Sequence, residues 1–200
     1  NDASAVNAAL VRMGFASRLL TDCDAAALRE AVTTFCASLE AGDVALFYFA
    51  GHGVEASVLQ AGKHQSSNWL VARDVPASND DLPFYATDAH SLLAKMESRG
   101  TRFNALILDC CRDDPLPSGA RSLSSGLASM DPKGSIVAFS CARGQRAAEL
   151  PGQRNGVFTK HLLQHIETPG LDINNLFIRV GSAVREETAS FPQPQNPYVN

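Results

Sequence analysis

Two apolar runs in this sequence end in residues able to do covalent chemistry. Residues 44 to 50 give way to Gly51-His52-Gly53, and residues 105 to 108 give way to Asp109-Cys110-Cys111. A cysteine attacks only as its thiolate, so it needs a base or an electropositive setting. A histidine supplies both. Glycines on either side of His52 leave room for a substrate backbone, and the Gly53 amide could point a donor at a developing oxyanion. Taken singly, each feature has a plain explanation. A histidine after a strand is usually polar surface, and a cysteine there is usually a small core residue. A histidine about 59 residues ahead of a cysteine, each at the end of an apolar run, is the stronger combination.

Other reactive side chains carry less. Ser140-Cys141 also follows an apolar run, with Cys141 expected in the core or at a pocket floor and Ser140 expected to contact substrate backbone. His161 and His165 are four apart on a predicted helix, but no acidic motif accompanies them, so they read as helix surface and no metal site is expected. His64 and His90 have no evident partner, and Trp69 is expected to pack in or near a strand.

The elements that must position these residues follow from periodicity. Asp2 to Met13 reads as a helix capped by Asn1 or Asp2, and Phe15 to Leu20 as a short strand. Asp24 caps an amphipathic helix striped by Leu28, Val32, Phe35, Cys36 and Leu39 and ended by Gly42. Val44 to Ala50 is a continuous apolar strand of the doubly buried kind. Residues 54 to 68 read as a polar surface loop. "NWLVARDVP" reads as a short strand, 88 to 96 as a helix, and 105 to 108 as a buried strand. The Pro-, Ser- and Gly-rich stretch 113 to 131 reads as a mobile linker. Residues 135 to 140 form another strand, helices follow over 157 to 166 and 172 to 188, and the Pro-rich end leads into an edge strand. Strands alternating with helices imply an α/β fold with a mostly parallel sheet, whose functional residues gather beyond the carboxyl ends of the strands.

Composition fits this picture. Two hundred residues suit one domain, with 45% hydrophobic and 19% charged residues. A net charge of −4 argues against a nucleic-acid surface. No apolar run approaches the roughly 20 residues needed to span a bilayer, and no charged-then-apolar leader opens the chain. The five cysteines are odd in number and contain no CxxC pair, which argues against a zinc ribbon and for a reduced, cytoplasmic setting.

"FYFAGHG" at 47 to 53 followed by "LILDCCR" at 106 to 112 resembles the caspase-like cysteine peptidases, the clan of caspases, metacaspases and paracaspases. Four further stretches resemble the family in order: "NDA" at 1 to 3, "GF" at 14 to 15, "NGVFTKHLL" at 155 to 163, and "FPQPQNPYVN" at the end. The resemblance implies a caspase-haemoglobinase-like three-layer sandwich. It divides the chain into a large-subunit-like part over 1 to 112, a linker over about 113 to 131, and a small-subunit-like part over 132 to 200. The family's first strand normally precedes the "NDA" helix, and this sequence begins at Asn1. Caspases proper carry Q-A-C-x-G at the nucleophile. The D-x-C-R pattern of Asp109 to Arg112 looks instead like paracaspases and their bacterial relatives. Metacaspases usually show D-x-C-H and an acidic stretch that serves calcium. Here residues 54 to 68 hold only Glu55 as an acid, with Asp74, Asp80, Asp81 and Asp88 further on, so no cofactor is expected and calcium dependence is disfavoured.

The resemblance makes Cys111 the nucleophile, two residues after Asp109, and His52 its partner, with the Gly53 and Cys111 amides as oxyanion donors. Alternation then turns Cys110 elsewhere, into the core. It also carries three acids, Asp2, Asp109 and Glu149, to the pocket for the residue before the cut, Glu149 by the loosest local match. Several carboxylates in one shielded pocket attract a guanidinium and repel an aspartate. The expected partners are protein or peptide substrates with Arg or Lys before the cut, not nucleic acid or membrane, with dimerisation and regulatory domains left open. The expected site of any self-cleavage in the linker is Arg121. The rival expectation is a caspase-like interaction module without activity, and a nucleotide-binding α/β domain is disfavoured for want of a glycine-rich phosphate loop.

Overall fold

A computed structural model describes residues 1–60, 63–74, 79–111, 130, 134–142, 145 and 147–200. The expected linker and Arg121 lie outside the described residues.

The chain opens with helix α1 (Asp2–Arg12), which buries Val6, Ala9 and Leu10. Residues 15 to 20 are not a strand, contrary to expectation. Extended backbone becomes a strand only where a neighbour completes its hydrogen bonds, and no ladder includes this segment. Helix α2 (Ala25–Ser38) is capped by Asp24, whose side chain accepts from the Ala27 amide at 2.8 Å. It ends four residues before Gly42, which instead takes the left-handed conformation (φ +90°) in the turn that follows.

Strand β1 (Val44–Gln60) does not stop at Ala50 but runs through Gly51-His52-Gly53. It returns as β2 (Lys63–Val71) in an antiparallel hairpin that pairs His52 with Val71 and Gln60 with Lys63. The expected surface loop over 54 to 68 is therefore mostly strand. Val54, Ala56 and Val58 bury one face of it against Trp69, Val71, Leu82 and Ala86. A 3-10 turn (Asn79–Asp81), the one-turn helix α3 (Leu82–Tyr85) and the short strand β3 (Ala86–Asp88) follow. Asp88 then caps helix α4 (Ala89–Glu97) by accepting from the His90 amide. Strands β4 (Phe103–Cys111) and β5 (Ser135–Phe139), helices α5 (Val157–His165) and α6 (Ile173–Glu187), and strand β6 (Tyr198–Val199) complete the order.

The six strands form one sheet in the order β3-β2-β1-β4-β5-β6. It is parallel only at its centre, β1 with β4 and β4 with β5. The hairpin, β3 and β6 add antiparallel margins. A mostly parallel sheet is thus correct for the centre alone, because the polar residues after Gly53 pair back on themselves as an antiparallel hairpin rather than forming a loop. On one face α2 and α4 cover Leu106, Leu108, Cys110, Val137 and Phe139. On the other, α1, α5 and α6 cover Ile107 and Ala138. Each fully buried aliphatic side chain stabilises the fold by about 1.5–3 kcal/mol, and alternation along β4 feeds both cores.

Candidate active site

Parallel pairing aligns β1 and β4 residue for residue, from Val44 opposite Phe103 to His52 opposite Cys111. Neighbouring strands lie about 4.8 Å apart, so the backbones of the histidine and the cysteine singled out in the sequence are adjacent. His52 is exposed and Gly53 beside it is buried. Gly51 has a packing reason: a Cβ there would lie 2.9 Å from the Phe49 ring. Cys110, one residue before the end of β4, is 2% exposed within the α2–α4 core.

His52, Asp2, Asp109 and Glu149 all line one groove of about 1150 Å³. The groove runs along the Val44–Gly51 half of β1, whose other edge is paired with β4 while the hairpin begins only at His52. Asp109 is 8% exposed. Thr159 of α5 donates its hydroxyl to the Asp109 carboxyl. The Tyr48 hydroxyl lies 2.5 Å from that of Thr159 and 3.5 Å from the same carboxyl, and Ser140 adds a further hydrogen bond. Burial pushes the Asp109 carboxyl up to about 6, the hydroxyls of Thr159, Ser140 and Tyr48 hold it down, and the nearby Asp2 raises it. Burial likewise raises the Tyr48 phenol, with Asp109 adding to it.

Asp2 is held differently. Its carboxylate accepts from Asn155 Nδ2 at 2.7 Å and from the Gly156 amide at 3.2 Å. Gly156 is the N-cap of α5, where unpaired amides favour an anion. The two carboxylates converge on this glycine: a Cβ at Gly156 would lie 3.7 Å from an Asp2 oxygen and 3.9 Å from an Asp109 oxygen. Glu149 is exposed on the groove wall. Ser140 is fully buried, with its Oγ 3.4 Å from the Cys110 carbonyl oxygen. Cys141 is buried as well, its thiol against the carbonyls of Cys110 and Gln145.

Sequence reasoning missed the residues that hold this site. Tyr48, Asn155 and Thr159 carry the acids. Gln195 ties the closing segment to the site, donating to the Ser140 carbonyl at 2.6 Å and accepting from the Ala148 amide at 2.8 Å. Their signal was a polar side chain inside an otherwise apolar stretch, as in Leu-Phe-Tyr-Phe and Val-Phe-Thr. His90, read as partnerless, has its Nδ1 3.0 Å from the Ser67 hydroxyl. His161 bonds Glu187 and Gln164. Among the acids considered for calcium, Asp74 accepts from the Ala25 amide and Glu55 from Ser66. Among the described residues, no group of three or more His, Cys, Asp or Glu is placed to hold a metal ion.

The whole sequence, residues 1–200, matches the caspase domain family of C14 peptidases. The chain therefore belongs to the caspase-domain cysteine peptidases. Its fold resembles that of caspase-1 from Spodoptera frugiperda, at a TM-score of 0.65 and 16% identity over 100% of this chain and 77% of that one. It also resembles a protein of Geobacter sulfurreducens, at a TM-score of 0.60 and 17% identity over 100% of this chain and 81% of that one. No curated protein sequence matches it. No helix among the described residues is long and apolar enough to cross a membrane.

Proposed function

We propose that the chain is an active cysteine endopeptidase that cuts after arginine or lysine through a Cys111–His52 dyad, on the paracaspase side of its family. The observation that carries the dyad is the register pairing of His52, midway along β1, with Cys111, the last residue of the adjacent parallel strand β4. In this reading the Cys111 thiol passes its proton to His52 and attacks the carbonyl carbon of the scissile bond. The Gly53 and Cys111 amides stabilise the oxyanion. His52 returns the proton to the leaving amine as the C–N bond breaks, which leaves a thioester. Water, deprotonated by His52, then releases the acid and regenerates the thiol.

The basic specificity rests on Asp2, Asp109 and Glu149 sharing one groove with His52. A guanidinium or ammonium entering between Asp2 and Asp109 relieves their mutual repulsion. A substrate aspartate would add a third desolvated negative charge. The D-x-C-R sequence favours the paracaspase branch, and with Glu55 the only acid over residues 54 to 68 no calcium requirement is expected. Self-processing, where it occurs, falls after Arg121.

A peptide fluoromethylketone ending in Arg is expected to label Cys111, and fluorogenic peptides ending in Arg are expected to be cut far better than those ending in Asp. Cys111→Ala and His52→Ala should each abolish turnover. No labelling would leave a caspase-domain interaction module, and efficient cutting after Asp would remove the acidic pocket. Intact mass spectrometry should find a fragment ending at Arg121 in the wild type and not in Cys111→Ala.

A further inference from the structure

We propose that Thr159 is a positioning residue that fixes the Asp109 carboxyl for a cationic substrate side chain, and that Tyr48 fixes Thr159 in turn. The inference rests on the basic specificity above and adds two residues, on α5 and β1, that this specificity does not itself require.

Asp109, once ionised, can only accept. Thr159 is fully buried, has one hydroxyl proton, and donates it to Asp109. The 2.5 Å contact between the Thr159 and Tyr48 hydroxyls must then be donated by Tyr48. The phenol proton is well suited to that role, because burial holds it in place. The result is a directed chain, Tyr48 to Thr159 to Asp109, that joins β1, α5 and β4 beneath the groove. Bonds donated to a carboxylate favour its ionised form. This chain therefore opposes the burial that pushes Asp109 up to about 6.

The other groups facing Asp109 do not substitute for it. Asp2 from α1 raises its affinity for a proton, and Ser140 from the end of β5 lowers it without titrating. Glu149 and His52 line the same groove from its wall and from β1. Without Thr159, Asp109 would hold its proton to higher pH and could swing out of line with Asp2. The loss should appear in substrate binding more than in turnover, since neither hydroxyl touches the reacting atoms.

Two readouts test this on the full chain. The first is the carboxyl titration of Asp109 by carbon NMR in wild type, Thr159→Val, Thr159→Ser and Tyr48→Phe. Thr159→Val should move the titration upward by about one pH unit, Thr159→Ser should restore it, and Tyr48→Phe should give a smaller upward move. The second is the pH profile of kcat/KM on an Arg substrate, whose acid limb should follow the same order, with KM raised and kcat little changed at neutral pH. An unmoved titration in Thr159→Val, or a failure of Thr159→Ser to restore it, overturns the proposal. A titration that moves while the acid limb stays put leaves Thr159 as the anchor of Asp109 but overturns Asp109 as counter-charge to the substrate. Should Thr159→Val not fold, Tyr48→Phe and Thr159→Ser carry the same comparison: an unmoved Tyr48→Phe titration counts against the proposal.

Discussion

The two faces of the sheet are covered alike but filled differently. Beneath α2 and α4, β4 presents Leu106, Leu108 and Cys110 to a core of leucines, methionines and phenylalanines. Beneath α1 and α5, the same strand presents Ile107 and then Asp109, which meets Tyr48, Thr159 and Asp2. Alternation along one strand thus separates an apolar core from the candidate site by a single residue. An apolar face gains from every side chain it buries. A face that buries a carboxylate beside a second one loses free energy, and keeps it only if something other than folding requires the charge. The difference between the faces is itself an argument for function.

The largest effect on stability should come from the apolar face. Leu108 is fully buried between strands that cannot move to fill a void. Leu108→Ala should cost about 2–5 kcal/mol, seen as a lower denaturant midpoint, while the surviving folded fraction keeps its substrate preference. A selective loss of preference for Arg in that variant would show that the two faces are not independent.

Asp109→Asn tests the opposite face. Below pH 3.8 the carboxyl is protonated both folded and unfolded, and its burial carries no ionisation penalty. Between pH 3.8 and about 6 the unfolded chain ionises while the folded one holds its proton, so stability falls as pH rises. Above that window the loss is complete and is on the order of 3 kcal/mol. Asp109→Asn removes it, so melting temperature should rise at pH 8 and differ little at pH 4. Cleavage after Arg should fall by roughly a hundredfold or more. A variant less stable than wild type at both pH values would mean that Asp109 holds the fold together rather than the substrate.

What could be read in advance follows the same division. The helices declared themselves through their apolar periodicity, and the second also through its Asp24 cap; the structure adds Asp88 and Asp172 as caps of the helices that follow them. The positions of His52 and Cys111 stood out because a reactive residue closes each apolar run. The β1–β2 hairpin did not, because Gly-His-Gly looked like a terminus and the polar residues after it hid the alternation of Val54, Ala56 and Val58. The short strand expected over 15 to 20 failed for a related reason, since strand propensity is local and pairing is not. Asp109 and Asp2 were legible only through family resemblance. Their holders, Thr159 and Asn155, are about 50 and 150 residues away in sequence and meet them only once α5 has docked.

The smallest effect should come from Cys110, and it sharpens the comparison most because its neighbours on both sides are functional candidates. Its side chain is 2% exposed and lies in the α2–α4 core, where a thiol behaves as a small apolar group. Cys110→Ala removes one sulfur atom and leaves the β4 backbone, with its pairing to Gly51, unchanged. The stability loss should be roughly 1 kcal/mol, and kcat/KM on an Arg substrate should stay within about twofold, a difference of some 0.4 kcal/mol. An alkylating peptide should still label this variant at full stoichiometry, whereas Cys111→Ala should take up no label. If Cys110→Ala were inactive and Cys111→Ala active, the strand alternation used throughout would be out of step by one residue. Asp109 would then face the wrong core for a substrate pocket.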